Sequence, residues 1–183
     1  MSRFRSPLFP LFVLLLVAAT AAPALAGPSL DIRPSVCPNL IDRSGSGYLP
    51  MAAVSSADFD FSRVGFVRGS LALRRADGVG GSVPPIYRRS GAVLLDVAAP
   101  APEGLCSTFG VDGLRDLYTV FRNRRVVRAL ELRNLPMNHS LELCLSGQVL
   151  DGTSFDVCDT VVVTDLAIFA DQPRDDDIIG ELP

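Results

Sequence analysis

The sequence predicts an all-β domain: an antiparallel β-sandwich of about seven short strands, Ig-like or of a similar Greek-key order, with room for one short helix. Three observations predict it. Short runs alternate apolar and polar residues, the period of a half-buried strand. Clusters of Gly, Pro, Asp and Asn punctuate those runs as turns do. Residues 140–163 read as a hairpin: Leu141, Leu143 and Leu145 alternate with Glu142, Cys144 and Ser146, while Val157, Val161 and Val163 share a parity opposed to Cys158, Thr160 and Val162. Asp151-Gly152 supplies the pair that tolerates a left-handed backbone in tight reversals. Folding the chain back there brings Cys144 roughly opposite Cys158.

The N-terminus comes first in the chain and sets the compartment. Arg3 and Arg5 precede an apolar run over residues 11–22, and Ala24-Leu25-Ala26 places small residues around a peptidase site. This is the pattern of a secretory signal peptide over residues 1–26. A transmembrane helix needs about 20 uninterrupted apolar residues, and Pro23 ends this run before that. No cysteine stands at position 27 to carry a bacterial lipoprotein anchor, and no later run is long enough to span a bilayer. The expected product is soluble and secreted, to the periplasm or the extracellular medium, after cleavage near Ala26.

Cleavage leaves 157 of the 183 residues, a length that suits one domain. We place that domain at residues 27–165, followed by an acidic tail over 166–183 with too little apolar surface to order itself. Without Arg3 and Arg5, 15 arginines face 20 acidic residues, a net charge of −5. Lysine is absent from the chain, so a P-loop, a Schiff base and a Ser-Lys dyad are all excluded. The acidic balance argues against a general nucleic-acid binder, because phosphate neutralisation needs positive surface.

All four cysteines lie beyond the signal peptide. In an oxidising compartment two disulfides are the default, and three pairings exist. The hairpin favours Cys144 with Cys158, which leaves Cys37 with Cys106, a loop whose closure removes roughly 4 kcal/mol of unfolded-state entropy. A cysteine metal site is the competing reading, but there is no C-x-x-C pair and the only histidine is His139.

Along the domain, Leu30-Asp31-Ile32-Arg33 alternates and then meets Pro34 and Cys37-Pro38-Asn39, a short strand entering a constrained loop. Residues 43–47, RSGSG, read as a flexible connection. Residues 48–55, YLPMAAVS, form an apolar run whose Pro50 confines it to a sheet edge or to a strand's first residues. In Ala57-Asp58-Phe59-Asp60-Phe61 the aromatics share one parity and the aspartates the other, and residues 66–74 alternate again before the turn-forming stretch 76–82. Residues 93–97 make a further strand, bounded by a loop rich in Pro and Gly, and residues 116–121 another. Over residues 122–130, Val126, Val127 and Leu130 recur at helical spacing, so one or two helical turns and a continued strand both fit. Leu135-Pro136-Met137-Asn138 is a turn into the hairpin.

Four arginines, Arg122, Arg124, Arg125 and Arg128, make the one basic cluster. Guanidinium forks suit carboxylate, sulfate or phosphate partners, which makes an acidic or sulfated surface polysaccharide a candidate ligand. The competing account is a helix whose arginines pair with nearby Asp or Glu. His139 is the only possible histidine base; with no G-x-S-x-G elbow for a nucleophile, it reads as a solvated turn residue. Asp58 and Asp60 would lie on one face of a strand roughly 7 Å apart, yet no tryptophan marks a sugar cleft, and two solvated carboxylates beside core-facing Phe59 and Phe61 is the plainer reading.

Residues 31–39, DIRPSVCPN, with GYLPMA at 47–52 and ADFD at 57–60, resemble a domain found in many exported bacterial proteins and typified by DIKPxxCPNP, GxLPVAxL and TxDFDV segments. The later stretches ELCLSG at 142–147 and DGTSFDVCDT at 151–160 look like that family's ExCLTG and DGTPFEGCDS. The resemblance runs from about Asp31 to Val163. It implies an accessory module of large extracellular proteins, sometimes repeated or beside enzymes and adhesins, with no activity assigned. Members that lacked the first cysteine but kept the last two would be consistent with Cys144 pairing with Cys158.

The resemblance also brings one departure. Family members place DVNGDGxxDL before the strand that starts here at Leu117, an acidic loop of the kind that holds Ca²⁺ through alternate oxygens. Here Thr108 and Gly110 replace the first two ligands, Arg115 intrudes, and Asp112 and Asp116 alone keep carboxylates. The sequence reading is therefore a non-enzymatic, disulfide-stabilised structural or binding module without a cofactor, its partner an extracellular glycan or protein. The alternatives are a Ca²⁺-dependent adhesion domain and an enzyme or enzyme inhibitor with an unrecognised site.

Overall fold

The computed structural model describes residues 27–86, 92–101, 108 and 110–165. The expected signal peptide, the acidic tail and Cys106 lie outside the described residues. Within them the chain forms two four-stranded sheets packed around one apolar core. Eight strands, rather than about seven, build them: β1 (Ser29–Ile32), β2 (Leu40–Asp42), β3 (Tyr48–Val54), β4 (Ala72–Arg75), β5 (Ala92–Leu95), β6 (Asp116–Arg122), β7 (Ser140–Gln148) and β8 (Ser154–Thr164). The first sheet runs in the order β1-β3-β6-β5 and is antiparallel throughout. The second runs β2-β8-β7-β4.

That second sheet departs from a purely antiparallel sandwich, because β2 pairs with β8 in parallel, Leu40 opposite Val162 and Asp42 opposite Thr164. β7 and β8 form the hairpin expected from their alternation, and Cys144 stands opposite Cys158. The two are joined as a disulfide with Cα atoms 4.0 Å apart. The reversal is wider than a two-residue turn: residues 149–153 close it through Val149 N–H to the Thr153 carbonyl at 2.9 Å. Cys37 is also disulfide-bonded.

Two segments correct the sequence reading. Residues 57–61 do not form a strand; Asp60 caps α1 (Phe61–Val64), its Oδ1 accepting from Ser62 N–H at 2.8 Å. An aspartate accepting the first free amides of a helix stabilises it there, so Asp58 and Asp60 do not face one another across a strand. Phe61 still reaches the core, stacked edge-to-face on Phe59 and Phe155 at 5.0 and 5.2 Å. Only the second half of residues 66–74 is strand, since Arg68–Ser70 form a 3-10 turn before β4.

The ambiguous stretch after β6 is helical, α2 (Asn123–Ala129). Val126, Val127 and Leu130 are fully buried in the core cluster, which fixes the helix by the apolar stripe that its spacing creates. Residues 43–47 are tied down rather than loose. The buried Asp42 carboxylate accepts from Ser44 N–H at 2.8 Å and from the Ser46 hydroxyl at 2.9 Å. Its carbonyl accepts from Asn123 Nδ2 at 2.8 Å, joining this loop to the start of α2.

Candidate functional site: an arginine-lined groove

α2 turns its buried stripe to the core, so its remaining positions face outward: Arg124, Arg125 and Arg128 are exposed, as is Arg122 at the end of β6. Residues three and four apart on a helix are surface neighbours, roughly 5–6 Å between Cβ atoms. The four side chains line one groove of about 730 Å³, together with Gly47 and Tyr48 at the start of β3 and Ser82, Val83 and Pro84 after β4. The sequence singled out the arginines; the walls they share come from segments far away in the chain.

Two close approaches set the position of α2. Gly45, at φ +81°, lies where a Cβ would come within 3.1 Å of the Arg124 Cα. Gly80, at φ +80°, lies where a Cβ would stand 2.5 Å from the Ala129 carbonyl oxygen. A positive φ suits glycine and strains other residues, so both positions meet a conformational and a steric demand at once. The neighbouring Gly81 N–H donates to that same Ala129 carbonyl at 2.8 Å. Arg75, nearly buried, donates Nη1–H to the Leu130 carbonyl at 3.2 Å and pairs with Asp77. The last carbonyls of α2 thus have donors, one of them cationic, which opposes the negative end of the helix.

No carboxylate among the described residues pairs with the four groove arginines. The ion pairs there are Arg43 with Asp165, Arg63 with Asp60, Arg74 with Asp156 and Arg75 with Asp77. The pairing of the α2 arginines with Asp or Glu is thus not found among the described residues. Four guanidiniums on an otherwise acidic chain concentrate positive potential in one concave place, and Tyr48 adds a half-buried ring at its edge. Chemically the groove offers forked N–H donors to a multiply charged anion.

The other candidates fall elsewhere. Asp116 is fully buried, and its oxygens accept from Ser55 N–H at 2.9 Å, Val97 N–H at 3.0 Å and Ala98 N–H at 3.1 Å. Burial pushes its carboxyl up while those amides pull it down. Asp116 therefore fastens β3 and the segment after β5 from within, instead of facing an ion in the loop before β6. Asp112 Oδ1 accepts from Leu114 N–H at 2.9 Å, and the loop is organised by Asp96, which accepts from the amides of Asp112 and Gly113. Among the described residues the one group of three ligand atoms close enough for a metal is Cys144, Asp156 and Cys158, whose sulfurs are consumed by the disulfide. His139 is exposed in the turn before β7, its backbone continuing the ladder to Val163.

Residues from the segments 31–39 and 151–160 gather in a different place. Asp159 Oδ2 accepts from Ile32 N–H at 2.8 Å and from Asn39 Nδ2 at 2.7 Å, so the first and last quoted segments meet where β1 crosses β8. Comparison with family models, curated proteins and solved structures returned no match. No helix among the described residues is long and apolar enough to cross a membrane.

Proposed function

We propose that this chain is an exported, non-enzymatic binding module whose ligand is an acidic polysaccharide held in the groove beside α2. The observation that carries the reading is the convergence of Arg122, Arg124, Arg125 and Arg128 on one groove with no carboxylate partner among the described residues. Export is supported by the leader pattern at residues 1–26 and by the disulfide between Cys144 and Cys158. The resemblance to an accessory domain of exported bacterial proteins points the same way. A sugar chain with repeating sulfate or carboxylate groups matches a row of guanidiniums spaced along a helix and β-strand end, and Tyr48 offers a ring face to a sugar.

The test is affinity electrophoresis of the exported protein in gels carrying dextran sulfate, polygalacturonate or uncharged dextran. The charged polymers are expected to retard it and plain dextran to leave it unmoved. Exposed ion pairs contribute about 0.2–1 kcal/mol each, so R124A/R125A/R128A should weaken binding by about 3- to 150-fold with little change in thermal stability. Equal retardation of that variant would remove the groove from the account.

A further inference from the structure

A second set of uncompensated charges lies at the seam between the sheets. Asp31 of β1 is only 4% exposed, and its Oδ2 has no hydrogen-bond partner. β1 is an outer strand, so the Ile32 amide points away from its ladder with β3, and Asp159 of β8 accepts it. Asp159 Oδ1 accepts from Thr160 N–H at 2.7 Å, so both of its oxygens already face donors. Asp31 and Asp159 line one small cavity with Ser29, Leu30, Val54, Ala99 and Ala101, about 10 Å³ in volume. That is the lower limit for a single water, too little to hydrate the buried Asp31 carboxylate fully, while Asp159 is half-buried.

The charged groups acting on Asp31 are both acidic: Asp159 from β8 and Asp116 from β6. β3 presents Ala52 opposite it, and the 99–101 segment presents alanines. Arg33, two residues further on, gives its guanidinium to the Leu40 carbonyl at 3.3 Å. A proton is the one neutralising addition that fits, and Asp31 is the site for it, since its Oδ2 is free of donors while Asp159 is engaged at both oxygens. Burial, then the charges of Asp159 and Asp116, push Asp31 up to about 7.

We infer that Asp31 and Asp159 form a proton-operated seam between the two sheets, closed while Asp31 holds its proton and loosened at β1 when it ionises. Protonated Asp31 has a donor to turn toward Asp159; ionised, it sets two like charges against each other in a nearly dry cavity. In the unfolded chain Asp31 ionises near 3.8, whereas the folded state keeps its proton to about 7. The folded state thus binds more protons between those values, and stability falls as pH rises through that window, then levels off.

The test is thermal unfolding of the wild type and D31N between pH 5 and 8. The amide cannot ionise, so D31N is expected to melt about 4 °C or more above the wild type at pH 8, with the gap closing toward pH 5. A gap that stays constant across this range overturns the inference. Should D31N not fold, the carboxyl ¹³C titration of wild-type Asp31 decides: a midpoint near 7 supports the seam, and one near 4 removes it. The Ile32 amide reports the loosening itself. Its exchange protection, corrected for intrinsic rate, should fall about tenfold from pH 6 to pH 8, and unchanged protection would show that ionisation leaves β1 in place.

Discussion

The groove beside α2 and the seam between β1 and β8 both hold charges without a partner of opposite sign among the described residues, and they hold them in opposite ways. The four groove arginines are exposed, so water solvates them and they remain charged at little cost. Asp31 is buried beside Asp159 in a cavity with room for about one water, so on our inference the cheaper course is to carry a proton. Unpaired charge at the surface is thus available for a ligand, whereas unpaired charge in the interior becomes a dependence on pH. The same lack of counter-ions has two outcomes, and solvent access decides between them.

If the two regions are independent, perturbing one should leave the other alone. The largest separation is expected from C144A/C158A, which opens the cross-link over a 14-residue separation and costs about 3 kcal/mol in the loop-closure account. Cys158 adjoins Asp159, so exchange at the Ile32 amide should quicken, while affinity for dextran sulfate stays within about twofold. A parallel loss of affinity would break the comparison. G80A follows at about 2 kcal/mol, from the positive φ and the approach to the Ala129 carbonyl. It should weaken polysaccharide binding by tilting α2 and leave the Asp31 midpoint unmoved; unchanged binding would mean that α2 does not rely on that approach. The smallest test is salt. Raising ionic strength from about 0.05 to 0.5 M should weaken groove binding about tenfold but move the Asp31 midpoint by less than about half a unit, because buried charges are poorly screened. A comparable response of both would mean that the seam is open to solvent.

What the sequence disclosed follows from how local each signal is. The β7–β8 hairpin and its disulfide were legible because strand period and turn chemistry act within a few residues and Cys144 and Cys158 sit in one supersecondary unit. β2 was not legible: it is three residues long, and its parallel partner lies at the far end of the chain. The Phe59–Phe61 parity imitated a strand, while Asp60 two residues before Ser62 was the capping signal that decided for a helix. The arginine cluster was visible as a cluster, but Tyr48 and Ser82–Pro84 reach it only through tertiary folding. Gly45 read as part of a flexible connection and Gly80 as part of a turn, although each makes room for α2. The seam was hidden altogether, because Ile32 and the Asp159 that accepts its amide are 127 positions apart.

The way α2 is anchored carries one more implication. Its hold on the domain comes from three apolar side chains, two glycine backbones and carbonyl contacts at its end, and among the described residues none of the outward arginine side chains takes part. The proposed recognition face is therefore decoupled from the scaffold beneath it. Exchanging those four positions for acids, amides or aromatics could redirect the module toward other polymers without rebuilding its interior.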